Sequence, residues 1–422
     1  MIEQRVIEVP AQQVPAPPTA PANEGWREAR ETLVSALFVI GLALPGLAML
    51  FPSLAPQVRP GRERRAKPPV WRWDTRSLTK FPVGLYRYFE GNFGFRGALI
   101  RYHSLAKIRW LGVSPSRRVI LGREQWLYYG EMGEVDCLRR ARPFTARELA
   151  AWEGAVVERQ TWAAQHGARL LLVICPDKHT IYPEYLPPNL QPSGRPSRYD
   201  QLVTRLARQH PEIGLARVRG DLLAAKTRYP VYYRLDTHWT HTGALIASNR
   251  IFATLGQWFP QVEPLRWTVT RQSPPVLDWR HLADMLGLTH HDMVETMARP
   301  RVTEAMAIAW LSGPEALPRL RLAGHEVTVT ERPGAPIPRA VVFGDSFTGF
   351  LVPYLSQRIG RAVYCLDGEF DTRLVEAEHP DLVIWELVER RLMQPAPGAL
   401  EAGVPAEERS TQGRPAREGS FR

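Results

Sequence analysis

Three hydrophobic patterns divide the chain. The first is an unbroken run: from Thr32 to Phe51, TLVSALFVIGLALPGLAMLF carries no charged residue over twenty positions. As a helix that length spans roughly 30 Å, one bilayer core. Pro45 and Gly46 weaken a helix in water but are tolerated in a membrane span. A transmembrane anchor is therefore expected at 32–51; a buried core helix is the alternative. The long charged stretch ahead of the run and the run's own length argue against a cleaved signal peptide. The second pattern is helical spacing. Tyr86, Phe89, Phe93, Leu99, Tyr102, Leu105 and Ile108 recur between Phe81 and Trp110. Thr145, with Glu148 three positions on, reads as a capping box opening a helix that runs to about His166 and ends at Gly167. Further helices are expected near 199–209 and from Gly243 to about Phe259, and 260–318 also reads as helical.

The third pattern is short apolar runs bounded by turns. VILGREQWLYY predicts two short strands around a turn, and ARLLLVICP a buried strand stopping at Pro176. RAVVFGDSFTGF reads as strand, tight turn and helix; AVYCL and DLVIWELVER add two more strands. Strands alternating with helices predict an α/β layered fold with a central, mainly parallel sheet. The expected organisation is a disordered tail over 1–31, the anchor, a Pro- and Arg-rich linker over 52–80, one folded domain over 81–393, and a disordered tail over 394–422.

Composition narrows the partners. The chain has 422 residues, 44% apolar and 23% charged, enough for a real core. Its net charge of +11 favours anionic partners. The basicity comes from scattered Arg, with no zinc-ligand pairs, aromatic RNA-binding signature or Lys-rich arm, so nucleic acid is not expected. The three cysteines, Cys137, Cys175 and Cys365, form no CxxC, and the odd count leaves at least one outside an intramolecular disulfide. Cys175 and Cys365 lie in strand-like runs and read as buried thiols.

Two stretches carry candidate chemistry. In VVFGDSFTGF a Ser follows an apolar strand at the start of a helix. That position lifts Ser346 to the carboxyl end of a sheet, with its own backbone N–H facing the place where an oxyanion would form. Gly344 permits a tight turn. The competing reading is a helix cap, since Asp and Ser are common N-caps. In LDTHWTHTGA, residues two apart in an extended segment point the same way, so Asp236 and His238 project together. A Ser hydroxyl needs a base, and a His held by an Asp supplies one. The Asp-His pair and the Ser together furnish a triad. The alternatives are a surface loop with unrelated polar residues, or a metal site from Asp236, His238 and His241. THHD, with His290 and His291, adds two imidazoles, but neither stretch has a helical HExxH or a cysteine set, and no metal or other cofactor is expected. Lys178, past a strand end, lines a pocket or sits in solvent. Trp239 packs the dyad or stacks on sugar. Glu386 and Arg390, four apart, suit a helix-face ion pair.

GDSF after an apolar strand, with DTHWT upstream, resembles the alginate O-acetyltransferase family (AlgJ/AlgX type) of the SGNH hydrolase-like superfamily. FGFRGALIRYHSLAKIRWLGVSPSRRVILGREQWLYY, VICPDKHTIYPEYLP, RHLADML and DLVIWELVER resemble further blocks, so the likeness runs over about 81–393. The Asp-His motif precedes the Ser motif, the reverse of ordinary SGNH hydrolases. The resemblance implies Ser346 as nucleophile, His238 as general base and Asp236 as its orienting partner, and it places VER near the active face. Trp239, Lys178 and Arg390 become candidate substrate contacts. It further implies acetyl transfer through an acetyl-serine to a polysaccharide hydroxyl in the bacterial periplasm, from an inner-membrane anchor. The implied partner is a multispanning membrane-bound O-acyltransferase that relays acetyl across the membrane. The AlgX type carries a C-terminal carbohydrate-binding module; here a polar tail is expected instead, closer to the AlgJ type. An esterase with the same triad and a non-catalytic scaffold of an export machine are the alternatives. The charge pattern conflicts with this placement: Arg59, Arg62, Arg64, Arg65 and Lys67 follow the span and outnumber Arg27 and Arg30 before it. The positive-inside rule read plainly puts the domain in the cytoplasm.

Overall fold

The computed structural model describes residues 24–51, 53, 66–70, 74–131, 133–270, 280–289, 291–295, 297, 299–311 and 327–400. The chain forms two compact units, one within residues 1–58 and 64–98, the other within 59–63 and 99–422. The first contains α1 (Glu24–Leu50) and α2 (Thr75–Asn92). Within α1, Trp26–Met49 is long and apolar enough to cross a membrane. Leu33, Phe38, Ile40 and Leu42 lie exposed along it, so the helix has no core of its own to bury them. The helix begins at Glu24, inside the expected tail, and α2 begins at Thr75, inside the expected linker. Residues 1–23 and most of 52–73 lie outside the described residues. The aromatic periodicity from Phe81 to Trp110 does not make one helix: Phe95 takes φ +63° and separates α2 from α3 (Arg96–Ala106).

The second unit is built on a seven-stranded sheet. Its strands are β3 (Arg169–Cys175), β4 (Gly214–Ala216), β7 (Ala309–Leu311), β8 (Val327–Glu331), β9 (Ile337–Phe343), β10 (Ile359–Cys365) and β11 (Leu382–Val388). They lie in the order β4-β3-β11-β9-β10-β8-β7. The first five are mutually parallel; β8 and β7 join antiparallel at one edge. The parallel strands are buried on both faces over most of their length, which explains their largely apolar sequences. Leu171, Val173, Val342 and Ile384 face a core completed by α8 (Val218–Ala225), α9 (His241–Leu255) and α11 (Ser346–Leu355). Leu170, Leu172, Val341 and Trp385 face the other, completed by α5 (Ala146–Gln165), α7 (Arg198–Gln209) and α12 (Thr372–Glu378). The Thr145 capping box forms as expected, with Glu148 answering back. VILGREQWLYY folds as the antiparallel pair β1 (Val119–Leu121) and β2 (Leu127–Tyr129), followed by the short α4 (Glu134–Arg139).

Three expectations need correction. Residues 260–318 are not helical: among the described residues they hold β5 (Trp267–Thr270) paired with β6 (Arg299–Val302), the edge strand β7, and one short helix, α10 (His281–Met285). Pro260, Pro264 and Pro300 interrupt any helix there, and WTVT alternates like a strand. The strands β4 and β8 were not anticipated. Residues 394–400 are packed, not tail-like: the Gln394 carbonyl accepts the Trp152 indole N–H at 3.3 Å, and the Leu400 N–H donates to Glu158 at 3.1 Å. Residues 401–422 lie outside the described residues.

Candidate active site

Ser346 stands where β9 ends in mid-sheet and α11 begins. The turn between them is tightly enclosed. A Cβ on Gly344 would meet Thr348 Oγ1 at 2.0 Å and Glu386 Oε2 at 2.7 Å, so glycine is needed for close approach rather than for a left-handed backbone. Asp345 is the helix cap, its Oδ1 accepting the Phe347 N–H at 2.8 Å. Capping is thus done by Asp345, and the Ser346 hydroxyl is left to other partners. As the first helical residue, Ser346 also carries a backbone N–H with no intrahelical acceptor.

The LDTHW segment folds back as a loop closed by a bridge between Tyr232 and Trp239, with the Tyr233 N–H donating to the His238 carbonyl at 3.1 Å. Thr240 then caps α9. The loop delivers His238 to Ser346 across 108 positions of chain, Nε2 to Oγ at 2.7 Å. On its other side, His238 Nδ1 lies 2.6 Å from Asp236 Oδ1. A carboxylate there obliges Nδ1–H to donate, which leaves Nε2 to accept the serine proton. The carboxylate is fully engaged: Oδ1 also accepts the His238 N–H at 3.0 Å, and Oδ2 the His281 N–H at 2.6 Å. Burial by itself pushes the Asp236 carboxyl up; the facing His238 charge and these hydrogen bonds overcome it and hold it well below the usual range. The imidazole packs on Phe347 and Phe350, with ring centroids 5.1 and 5.5 Å away.

The three expected substrate contacts are placed differently. Trp239 is fully buried, donates its indole N–H to the Phe347 carbonyl at 3.2 Å, and packs edge-on against the Phe347 ring. It fastens the loop carrying His238 to α11, and its burial leaves no ring face open to solvent. Lys178, on the single turn α6 (Lys178–Ile181), is buried rather than solvated. Arg390, also buried, ion-pairs with Asp177, whose Oδ2 accepts the Arg390 N–H at 2.7 Å. Burial opposes its charge, and Asp177, Glu134 and Asp345 more than restore it, so Arg390 stays firmly protonated. Glu386 and Arg390 make no helix-face pair, because Glu386 lies in β11. Its Oε2 accepts the Asp345 N–H at 3.0 Å and the Thr348 hydroxyl at 2.8 Å, bracing the turn that carries Ser346. Burial and the Asp345 charge raise its carboxyl to about 8.

The metal alternative loses its donors. Asp236 and His238 are committed to each other, and His241 packs against Phe350 and Tyr354. His290 lies outside the described residues, and Asp292 pairs with Arg101 at 2.6 Å. Among the described residues Cys137, Asp177 and His179 bring ligand-type atoms within 4.8 Å. Asp177 is already paired with Arg390, His179 with Glu134 at 3.0 Å, and burial keeps the Cys137 thiol protonated, so this is a closed ion-pair network. Asp177 has no role in the sequence reading, although it lies just past the carboxyl end of the parallel strand β3, as Glu389 of VER lies past β11, where such sheets place their sites. Glu295 and the His281 amide had no local signal.

The model of the family described as "SGNH hydrolase-like domain, acetyltransferase AlgX" matches residues 119–389 of this chain. A probable alginate O-acetylase AlgJ of Pseudomonas syringae pv. tomato is 33% identical over 144 residues, an alignment spanning 34% of each chain. The chain thus spans about a third of that relative's length. A probable alginate O-acetylase AlgJ of Pseudomonas aeruginosa is 25% identical over 295 residues, 65% of this chain and 70% of that one. Among solved structures, the O-acetyltransferase domain of Pseudomonas putida AlgJ superposes with a TM-score of 0.42 at 21% identity, covering 66% of this chain and 93% of that one. With the family match running through the whole sheet from Val119 to Glu389, and through Asp236, His238 and Ser346, the chain belongs to the SGNH hydrolase-like, AlgX-type acetyltransferase domain family.

Proposed function

We propose that this chain is a membrane-anchored O-acetyltransferase that acetylates a bacterial exopolysaccharide through an acetyl-Ser346 intermediate. One observation carries the reading: His238 bridges Asp236 and Ser346 at 2.6 and 2.7 Å. In the first half-reaction His238 Nε2 takes the Ser346 proton as Oγ attacks the donor carbonyl. The oxyanion forms beside the Ser346 N–H at the start of α11. The proton then passes to the leaving group, and Asp236 stabilises the imidazolium in between. In the second, His238 deprotonates an acceptor hydroxyl, which takes the acetyl group and releases the serine.

The relatives' printed name, alginate O-acetylase, supports a polysaccharide acceptor. A donor relay by a multispanning membrane-bound O-acyltransferase and a periplasmic site on the inner membrane complete the proposal. Ser346→Ala should abolish acetyl release from an activated ester, while a chelator leaves the wild type unchanged. Activity that survives Ser346→Ala and is lost to the chelator would replace the acetyl-serine route with a metal one. A reporter fused after residue 70 checks the topology: cytoplasmic reporter activity would end both the periplasmic placement and the relay.

A further inference from the structure

The base loop is held at both poles of its backbone by side-chain charge, buried at Lys178 and half-buried at Glu295. Below it, the Lys178 ammonium donates to three carbonyls of the loop, Tyr233 and Arg234 at 3.1 Å each and Asp236 at 2.6 Å. Beside it, the Glu295 carboxylate accepts two amides of the same stretch, Arg234 N–H at 2.6 Å and Leu235 N–H at 3.1 Å. Among the described residues Lys178 makes no ion pair within bonding distance; the Trp126 and Tyr128 rings also flank it, with centroids 5.5 and 5.2 Å away. All three ammonium protons are therefore spent on the peptide backbone that carries Asp236 and, two residues on, His238. A neutral amine has only two N–H groups and a lone pair that repels a carbonyl. Loss of one proton therefore leaves one of the three carbonyls buried without its donor.

We propose that Lys178 and Glu295 form a two-sided charge clamp that positions the Asp236–His238 pair against Ser346, and that the clamp holds only while Lys178 keeps its third proton. Lys178 is here a positioning residue: it touches neither Ser346 nor the His238 ring. The inference rests on the triad reading above. The surroundings set how firmly the proton is held. Burial lowers the Lys178 pKa to about 7, against the pull of Glu295 from the loop before β6, Asp236 from the base loop and Glu134 from α4. On its own turn Asp177 and His179 are already paired with Arg390 and Glu134. A rise in pH should thus loosen the base before it touches the nucleophile turn.

The test uses the full chain in detergent with p-nitrophenyl acetate as donor, from pH 6 to 10. Lys178→Met keeps the length and removes the donors. It should lower kcat by about 10²-fold, the usual consequence of a misplacement near 1 Å, with KM little changed, and it should erase the alkaline decline of the wild type. Glu295→Gln should lower kcat less, since one oxygen still accepts. A folded Lys178→Met protein with wild-type kcat, or with the alkaline decline intact, overturns the clamp. Should that variant not fold, [13Cε]-lysine and 15N spectra of the wild type decide. The clamp requires the His238 amide signal to move with the titration of Lys178, and an unresponsive His238 amide overturns it. Ser346→Ala separates the two readings: if that protein keeps its activity, the triad is wrong, whereas an inert Ser346→Ala beside an unaffected Lys178→Met condemns the clamp alone.

Discussion

Asp236→Asn tests the triad most sharply, because three N–H groups converge on two carboxylate oxygens: His238 N and Nδ1 on Oδ1, His281 N on Oδ2. Asparagine keeps one acceptor oxygen and substitutes two donors for the other. If its NH₂ takes the Oδ2 place, it faces the His281 N–H across a 2.6 Å gap, donor against donor. That leaves a buried amide unsatisfied, at about 1–3 kcal/mol of stability. If the NH₂ takes the Oδ1 place, His238 must accept at Nδ1 and carry its proton on Nε2, pointing at Ser346 Oγ. The base is then in the wrong tautomer to receive the serine proton. Either way the imidazolium loses its facing charge. The expected fall in kcat is up to about 10⁴-fold, on the order of 5 kcal/mol of barrier. The assay is initial acetyl release from an activated ester, read beside the thermal midpoint. A well-folded Asp236→Asn protein within about tenfold of wild type would refute the role given to this carboxylate, since that is only about 1.4 kcal/mol.

Three further outcomes are expected. Asp236→Ala combined with His238→Ala should lose little more activity than His238→Ala alone, since members of a triad act as a unit; losses that multiply in the double-variant kinetics would contradict that. Gly344→Ala drives a methyl to 2.0 Å from Thr348 Oγ1, so denaturant titration should show a loss of about 1–3 kcal/mol, with acetyl release falling further than stability because the nucleophile turn must shift. Glu386→Gln bears on pH. The folded carboxyl titrates at about 8 against an ordinary 4.5, so the folded state keeps a proton that the unfolded chain has already lost. Stability is then full below the ordinary carboxyl range and declines as pH rises towards 8, by up to about 1.4 kcal/mol per unit. Thermal scans should show that decline in the wild type and a flatter curve in Glu386→Gln, whose amide cannot ionise.

What could be read from the chain followed how local the cause was. The strands β3, β9 and β11 are largely apolar runs ended by Pro176, Gly344 and Glu389, and a strand buried on both faces writes that pattern directly. The Thr145 cap needs only four residues. Asp236 and His238 were legible as a pair because the two-residue spacing alone brings them together, and Ser346 because strand, glycine and helix are contiguous. The region from 260 to 318 failed for the opposite reason: β5 and β6 pair across more than twenty positions, and β7 is a strand only by virtue of lying beside β8. The burial of Lys178 and Arg390 was not legible, because burial is a tertiary property: Arg390 meets Asp177 across 213 positions and Lys178 meets Asp236 across 58.

The same distances explain why so much charge lies under one serine. Asp177, Glu134, Glu386 and Glu389 with Arg390, Lys178 and His179 are all buried, and none of these groups gains by leaving water. A hydrophobic replacement of the same shape would make a simpler core. What the ionic set supplies is direction. Four of the seven bind backbone that apolar packing cannot grip: Glu389 takes the Asp177 N–H, Asp177 the Arg390 N–H, Glu386 the Asp345 N–H, and Lys178 the carbonyls of the loop before α9. These bonds tie the ends of β3, β9 and β11 to the loop carrying Asp236 and His238. Ser346 and His238, 108 positions apart, are brought together through such ties, because no local element spans the gap. The desolvation cost of the cluster thus falls beside the point where Ser346 and His238 meet at hydrogen-bond distance.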